Sequence, residues 1–373
     1  MDDRAYRTGS LAWEAAAPGS ESEPRELDFP ARSFVLSWEA GRPAGYAYVF
    51  SLSALVDGRW SRWYRMGSWS ATPSLRTSFK GEKDELGSVS VDTLDLVRGA
   101  AAVRLRVELA DGEVWLATGE SELATGESGL GAGESGLGAD GAEGAGVGAA
   151  AATVSSAVRA APVRAFLSYS DPKPTAAELA RRGAAPTIEA LSVAGLPAWS
   201  QMTVPDIGKL ICSPSCVAMV LDYWGRGAAS EKIEAIRAAA AGVYDASFEA
   251  YGNWSFACAY AASRGLRAEA RRLPSLAALR PYLAAGVPAV LSVSWDNEGG
   301  RPLGGAPLPK SAGHLTLLVG FDGRGGALMH EPASPDDESV PRRYDAAELE
   351  ARWLGSSGGL AYLVYPIGTA VQA

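Results

Sequence analysis

Two periodicities divide this chain, and they restrict its folds more than any other feature. Between residues 33 and 109 the short runs Phe34–Trp38, Tyr46–Leu52, Trp60–Met66 and Val103–Leu109 alternate along the chain. They are rich in aromatic and β-branched residues and are separated by Gly, Pro and Asp. That pattern predicts short antiparallel strands, hence a β-sandwich. After residue 200 the spacing changes. Val217, Val220, Leu221 and Trp224 form a helical stripe that opens at Cys212 and stops at Gly225. Helices are expected over Ser230–Ala241, Asn253–Arg264 and Leu276–Ala285, the first two capped by Ser230 and Asn253. Strands follow at Pro288–Trp295, His314–Phe321, Gly326–Glu331 and Leu360–Tyr365, the middle two as a hairpin around Asp322–Gly325. Helices first and an antiparallel sheet after make the second part α+β.

Residues 1–28 are polar and read as an unstructured lead-in, with a sandwich domain over 29–170. Within that domain, 117–123, 124–130 and 131–137 are near-copies of one heptapeptide, each with one Leu and with one, two and three Gly in turn. So much Gly cannot build a coiled-coil seam, so 117–157 is expected to be a flexible acidic insertion. The strand pattern resumes at Val163–Tyr169, which suggests that the insertion interrupts a hairpin. Residues 171–195 carry Pro172, Pro174 and Pro186 and a short helix around Ala176–Arg182, and read as a linker before a domain over 196–373.

Composition excludes several functions. The net charge is −9 with no basic stripe, which argues against a nucleic-acid partner. Three cysteines are too few for a disulfide framework, and with two histidines they cannot supply a structural zinc site, so no metal or cofactor is expected. No run approaches the ~18 apolar residues of a membrane span. Met1–Arg32 contains no apolar signal region, so a cytoplasmic location is expected, with export left open if the start lies upstream.

The chemistry gathers at Cys212. A thiol at a helix N-terminus meets the positive end of the macrodipole, which favours the thiolate. Cys216, one turn deeper, and Cys258, inside the third helix, read as core. A thiol nucleophile needs a base. His314, opening a strand after Gly313, is the first choice, and His330 the second. Glu331 can orient the His314 imidazole, since neighbours on a strand point to opposite faces and His330 then looks away. Asp336 and Asp337 are close enough in sequence to replace it. The Cys212 backbone N–H and the Gln201 side-chain amide are candidate donors to an oxyanion. Trp224 and Trp254 read as core anchors, and the Gly/Pro-rich Asp296–Ser311 as the cleft rim.

The segments Leu196–Gln201, Cys212–Gly225, Tyr251–Phe256, Gly313-His314 and Glu331–Pro335 resemble the peptidase family C-thirty-nine-like proteins, bacterial papain-fold relatives of the peptidases that cleave bacteriocin leaders. The resemblance spans about residues 196–366, and Val91–Leu96 is similar to a stretch in family members with a β-rich N-terminal domain. It implies a papain-like fold, a Cys212 nucleophile, a His314 base, Glu331 as third member and Gln201 as oxyanion donor. Two positions depart from the pattern. Ser213 stands where Gly is usual, adding a side chain beside the thiol. Glu331 stands where Asp is usual, one methylene longer. The expected activity is a cysteine peptidase or amidase acting on a peptide or other amide through an acyl-enzyme. The same residues would serve an acyltransferase or transpeptidase. A degenerate peptidase-like binding protein, with the N-terminal aromatics contacting glycan or protein, is the non-enzymatic alternative.

Overall fold

The computed structural model describes residues 5–16, 18–112, 163–182 and 187–371, and these are mostly β-sheet with a few helices. The first sheet comprises β1 (Thr8–Ala16), β2 (Ser20–Glu21), β3 (Arg25–Glu39), β4 (Tyr46–Val56), β5 (Arg59–Trp60), β6 (Tyr64–Trp69), β7 (Gly87–Ser90), β8 (Thr93–Asp111) and β9 (Val163–Ser170). Its main path runs β1-β9-β3-β8-β4-β5, with β2 and β7 on β8 and β6 on β4. All of these pairings are antiparallel.

Three expectations change here. Hydrogen bonds join the nine strands into one sheet, where a sandwich of two sheets was expected. The long β3 and β8 bend instead of ending: their register shifts between Glu26 and Ala31 and again between Ala31 and Ser33. Residues 8–28 are not an unstructured lead-in. β1 pairs β9 and β2 pairs β8 through backbone bonds, and Trp13 of β1 is buried. Finally, β8 and β9 flank β3 and do not pair with each other, so the segment between them does not interrupt a hairpin. The insertion expected at 117–157 lies outside the described residues.

The second sheet contains β10 (Leu191–Ser192), β11 (Leu266–Arg272), β12 (Ala289–Asp296), β13 (Lys310–Phe321), β14 (Gly326–His330), β15 (Pro341–Asp345) and β16 (Leu360–Pro366), in the order β11-β16-β12-β13-β14-β15 with β10 on β13. The helices are α1 (Ala176–Arg181), α2 (Cys212–Tyr223), α3 (Lys232–Val243), α4 (Trp254–Ala262), α5 (Arg280–Ala284) and α6 (Ala346–Ser357). Asn253 caps α4 through the Phe256 N–H, as expected. Ser230 does not cap α3, which starts two residues later. The turn Asp322–Gly325 is tied by the Asp322 carboxylate, which accepts from the N–H groups of Arg324 and Gly326. β11, β15 and α6 were not expected, although Asp345 before Ala-Ala-Glu is a legible cap: it accepts from Ala347 N and Glu348 N.

The two sheets meet around α4, whose residues from Ser255 to Ala261 are all buried. A Ser/Ala/Cys-rich helix lets both sheets approach closely. Phe256 fills the contact, 6.1 Å from the Trp38 ring and 5.9 Å from that of Trp69. Strand β11 is an edge of the second sheet, and its outward N–H groups need partners. Side chains of the first sheet supply them. Glu39 accepts from Ala268 N, Ser37 from Ala270 N and Ser168 from Arg272 N. The buried Arg272 guanidinium completes the seam, donating to Ser33 Oγ (2.6 Å), Ser170 Oγ (3.1 Å) and the Ser357 carbonyl (3.1 Å).

Candidate functional site

Cys212 is the first residue of α2, with Ile211 at the cap position offering no side chain to the exposed N–H groups. The thiol is half-buried at the positive end of the helix, whereas Cys216 and Cys258 are fully buried. Burial pushes both of those thiols well up, so neither ionises readily. Cys216 Sγ lies 3.5 Å from the Leu315 carbonyl and belongs to the core.

His314 comes from β13, one residue past a bulge. β12 and β13 are in register at Val293 and His314, but two residues on β12 then face three on β13. Bulges re-aim side chains in this way. Gly313 sits in the bulge, and a Cβ there would meet nothing within 4 Å, so this glycine does not serve close approach. The β13–β14 register, Leu317 opposite His330, extended by one residue puts Glu331 across from Thr316 and diagonal to His314. His314 Nε2 and Glu331 Oε1 are 2.6 Å apart, both buried. The other ring nitrogen, Nδ1, is then the one left for the thiol, and the His314 charge acts on Cys212 directly.

The carboxylate is itself fixed. Ala333 N donates to Oε1 at 2.9 Å, and the Tyr344 hydroxyl donates to Oε2 at 3.0 Å. Trp295 packs edge-on to the imidazole, with centroids 5.3 Å apart at 86°. It also donates from Nε1 to the Leu308 carbonyl, anchoring the loop between β12 and β13. Tyr344 and Trp295 were missed from sequence, because each lies on a strand whose partner is set only by the sheet order.

The charges follow from these contacts. Burial alone would raise the Cys212 thiol, but the adjacent His314 outweighs it and the thiol titrates below its ordinary value. Burial likewise opposes the His314 imidazolium, yet Glu331 and then Cys212 hold its pKa up at about 10. Glu331 is buried and still titrates below the usual carboxylate range, because His314, Ala333 N–H and Tyr344 outweigh desolvation. At neutral pH the arrangement therefore favours thiolate, imidazolium and carboxylate in a row.

The remaining candidates take other places. His330 Nδ1 contacts the Pro197 carbonyl at 2.9 Å, pinning the 197–201 loop, so it is not the base beside Cys212. Asp336 is held by Ser339, and Asp337 by Ser200 N–H and Lys232, which removes both as substitutes for Glu331. Gln201 is buried in a 3-10 turn. Its backbone N–H donates to the Pro332 carbonyl, and its Nε2 donates at 2.6 Å to the Gly208 carbonyl, four residues before Cys212. One of its two amide hydrogens remains for another acceptor.

The Ser213 hydroxyl does not narrow a cleft. It is buried, 3.2 Å from the Tyr362 hydroxyl. Ser213→Gly should therefore leave the iodoacetamide reactivity of Cys212 within about threefold, while lowering stability by about 1 kcal/mol in urea denaturation, the worth of one buried hydrogen bond.

Comparison with known proteins adds two family matches. Residues 193–360 match the model of the Peptidase_C39 like family, and residues 2–117 match that of the Peptidase C39 N-terminal domain. No curated protein matches. A crystal structure from Bacillus anthracis, provisionally described as a C39-like peptidase, is 13% identical, with 49% of this chain and 100% of that one covered at a TM-score of 0.35. That likeness is too slight to bear on the argument. Among the described residues no helix is long and apolar enough to cross a membrane, and no group of three or more His, Cys, Asp or Glu is placed to hold a metal ion.

Proposed function

We propose, for a chain whose residues 193–360 belong to the Peptidase_C39 like family, that it is a papain-like cysteine peptidase acting on peptides through Cys212, His314 and Glu331. The observation that carries the reading is the position of His314, bonded through Nε2 to a buried carboxylate and close enough to Cys212 for its charge to lower the thiol pKa. In this mechanism the Cys212 thiolate attacks the amide carbonyl carbon. The tetrahedral oxyanion is met by the Cys212 N–H and the free amide hydrogen of Gln201. The His314 imidazolium gives its proton to the departing amine as the C–N bond breaks, leaving a thioester. Water, deprotonated by His314, then attacks the thioester and returns the thiol. Glu331 keeps its charge throughout, holding the ring and stabilising the imidazolium.

A glutamate in this role works because the extra methylene is taken up by the fixed position of its carboxylate between Ala333 N and Tyr344. The same bond favours an enzyme over a binding-only relative, in which nothing requires a carboxylate aimed at the ring.

The test is thiol alkylation across pH. Wild type should react with iodoacetamide at one site with a midpoint below that of an ordinary thiol, and Cys212→Ala should lose that reaction while keeping its fold. Equal reaction rates for the two proteins near neutral pH would exclude Cys212 as the nucleophile.

A further inference from the structure

A cavity of about 650 Å³ opens where the first sheet meets α3 and α4. Three arginines reach it from separate segments: Arg42 from the β3–β4 turn, Arg76 just after the 3-10 turn Pro73–Leu75, and Arg264 just after α4. Its other walls are small and apolar, with Ala238 and Gly242 of α3 against the Tyr260 ring. Gly242 permits that approach, since a Cβ there would come within 2.3 Å of the ring. No Asp or Glu lines the cavity, and among the described residues none of the three guanidinium groups is paired with a carboxylate. In a chain of net charge −9 this is an unusual corner.

The three differ in how their donors are used. Arg76 is fully buried. It donates from Nε to the Tyr244 carbonyl at 2.8 Å and from Nη2 to the Ala241 carbonyl at 2.6 Å, satisfying the C-terminal end of α3, and more weakly from Nη1 to the Ser70 carbonyl at 3.4 Å. The acid near it, Asp245, is committed to Ser78 and Asn253. Arg264 donates to the carbonyls of Arg226 and Gly227. Arg42 makes no such bond. Its guanidinium lies 5.4 Å from the Trp69 ring centroid and 5.9 Å from that of Tyr260, and its buried Nε has no partner. Burial and then the like charge of Arg42 hold Arg76 down at about 10. Asp245 offsets only part of this. Two cations sharing a partly desolvated corner with no carboxylate paired to either are mutually unfavourable, and an anion placed between them would relieve both burial and repulsion.

We propose that this cavity binds a small organic anion, its carboxylate or phosphate oxygens on Arg42, its charge met by Arg76 and Arg264, and its apolar body against Ala238 and the Tyr260 ring. An arginine held between aromatic faces with a free donor edge is well suited to planar, bidentate oxyanion recognition. The site is separate from Cys212. That residue begins α2, whereas the loop after the end of α2, at Ala228, walls the cavity. The inference stands whether or not Cys212 is a nucleophile.

The experiment is calorimetric titration of the full chain at low ionic strength with phenyl phosphate, inorganic phosphate, benzoate and, as a neutral control, benzamide. Wild type should bind at least one of the anions and not benzamide. Arg42→Gln should weaken that binding about tenfold or more, the usual loss of one charge-assisted pair, with Cys212 alkylation unchanged. Arg264→Gln should weaken it less, and serves as the second variant should Arg42→Gln melt early. Preference for phenyl phosphate or for benzoate identifies the phosphate or the carboxylate source. No heat of binding from any anion at 10 mM (about 10⁻² M, the weakest affinity such a site would show), or equal affinities in wild type and both variants, overturns the proposal.

Discussion

His314→Ala should slow alkylation of Cys212 at pH 7 by about 10²-fold, because the thiolate loses the group that stabilises it. Burial and the Glu331 charge raise the Cys212 pKa, and the lowering that overcomes them comes first from His314 and then from the Leu315 backbone. With the imidazolium gone, the Leu315 backbone and the helix end are left against burial and the Glu331 charge, and the thiol midpoint should move to the alkaline side of an ordinary thiol. Peptide hydrolysis should fall by about 10³–10⁴-fold, since the proton donor to the leaving amine goes too. The pH profile of wild type gives the complementary check. kcat/KM should rise with pH as the lowered Cys212 thiol ionises and fall again near pH 10, where His314 loses its proton. Alkylation needs no imidazolium and should stay high on the alkaline side. A His314→Ala protein that alkylates as fast as wild type at pH 7 would show that the ring does not act on the sulfur.

Arg272→Met should cost about 3–5 kcal/mol of stability, the largest structural effect expected of a single side chain at the seam between the sheets. The methionine fills part of the volume but leaves Ser33, Ser170 and the Ser357 carbonyl without their donor in a buried setting. It also removes the cation that faces Asp92, whose carboxyl burial already pushes up to about 7. Asp92 accepts from Trp254 N at the start of α4, so the loss reaches the helix on which both sheets pack. Urea denaturation followed by tryptophan fluorescence measures it. If the seam is continuous, both sheets should unfold in one transition in wild type, and the midpoint alone should move in the variant. A loss under 1 kcal/mol would mean that the guanidinium bonds add little beyond packing.

The segments that were legible in the sequence are those whose side chains carry a local signal. The α2 stripe, the Asn253 cap, the Asp322–Gly325 turn and the strands at β4, β12, β13 and β16 fall within a few residues of where periodicity and turn chemistry put them. Strands β1 and β2 were hidden, because β1 shows no clean alternation and β2 is only two residues long, so backbone pairing with β9 and β8 is what defines them. The edge β11 was hidden for a related reason: Arg-rich and polar, it is completed by Ser37, Glu39 and Ser168 from more than a hundred residues upstream. No local window contains that information.

The same division holds at the candidate site. Local chemistry was enough to single out Cys212, since a thiol opening a helix is a short-range feature, and two histidines left a choice of two. Choosing between them required the strand register, because one residue along β14 separates a side chain that reaches His314 from one that pins Pro197. Residue type and spacing set which groups the chain could use. The tertiary structure decided which of them meet, as with Tyr344 on Glu331, Trp295 on His314 and the Ser213 hydroxyl turned to Tyr362. The physical reason is that a strand's partners depend on sheet order and on bulges, which the whole core selects, while a helix cap or a turn is settled within a few residues.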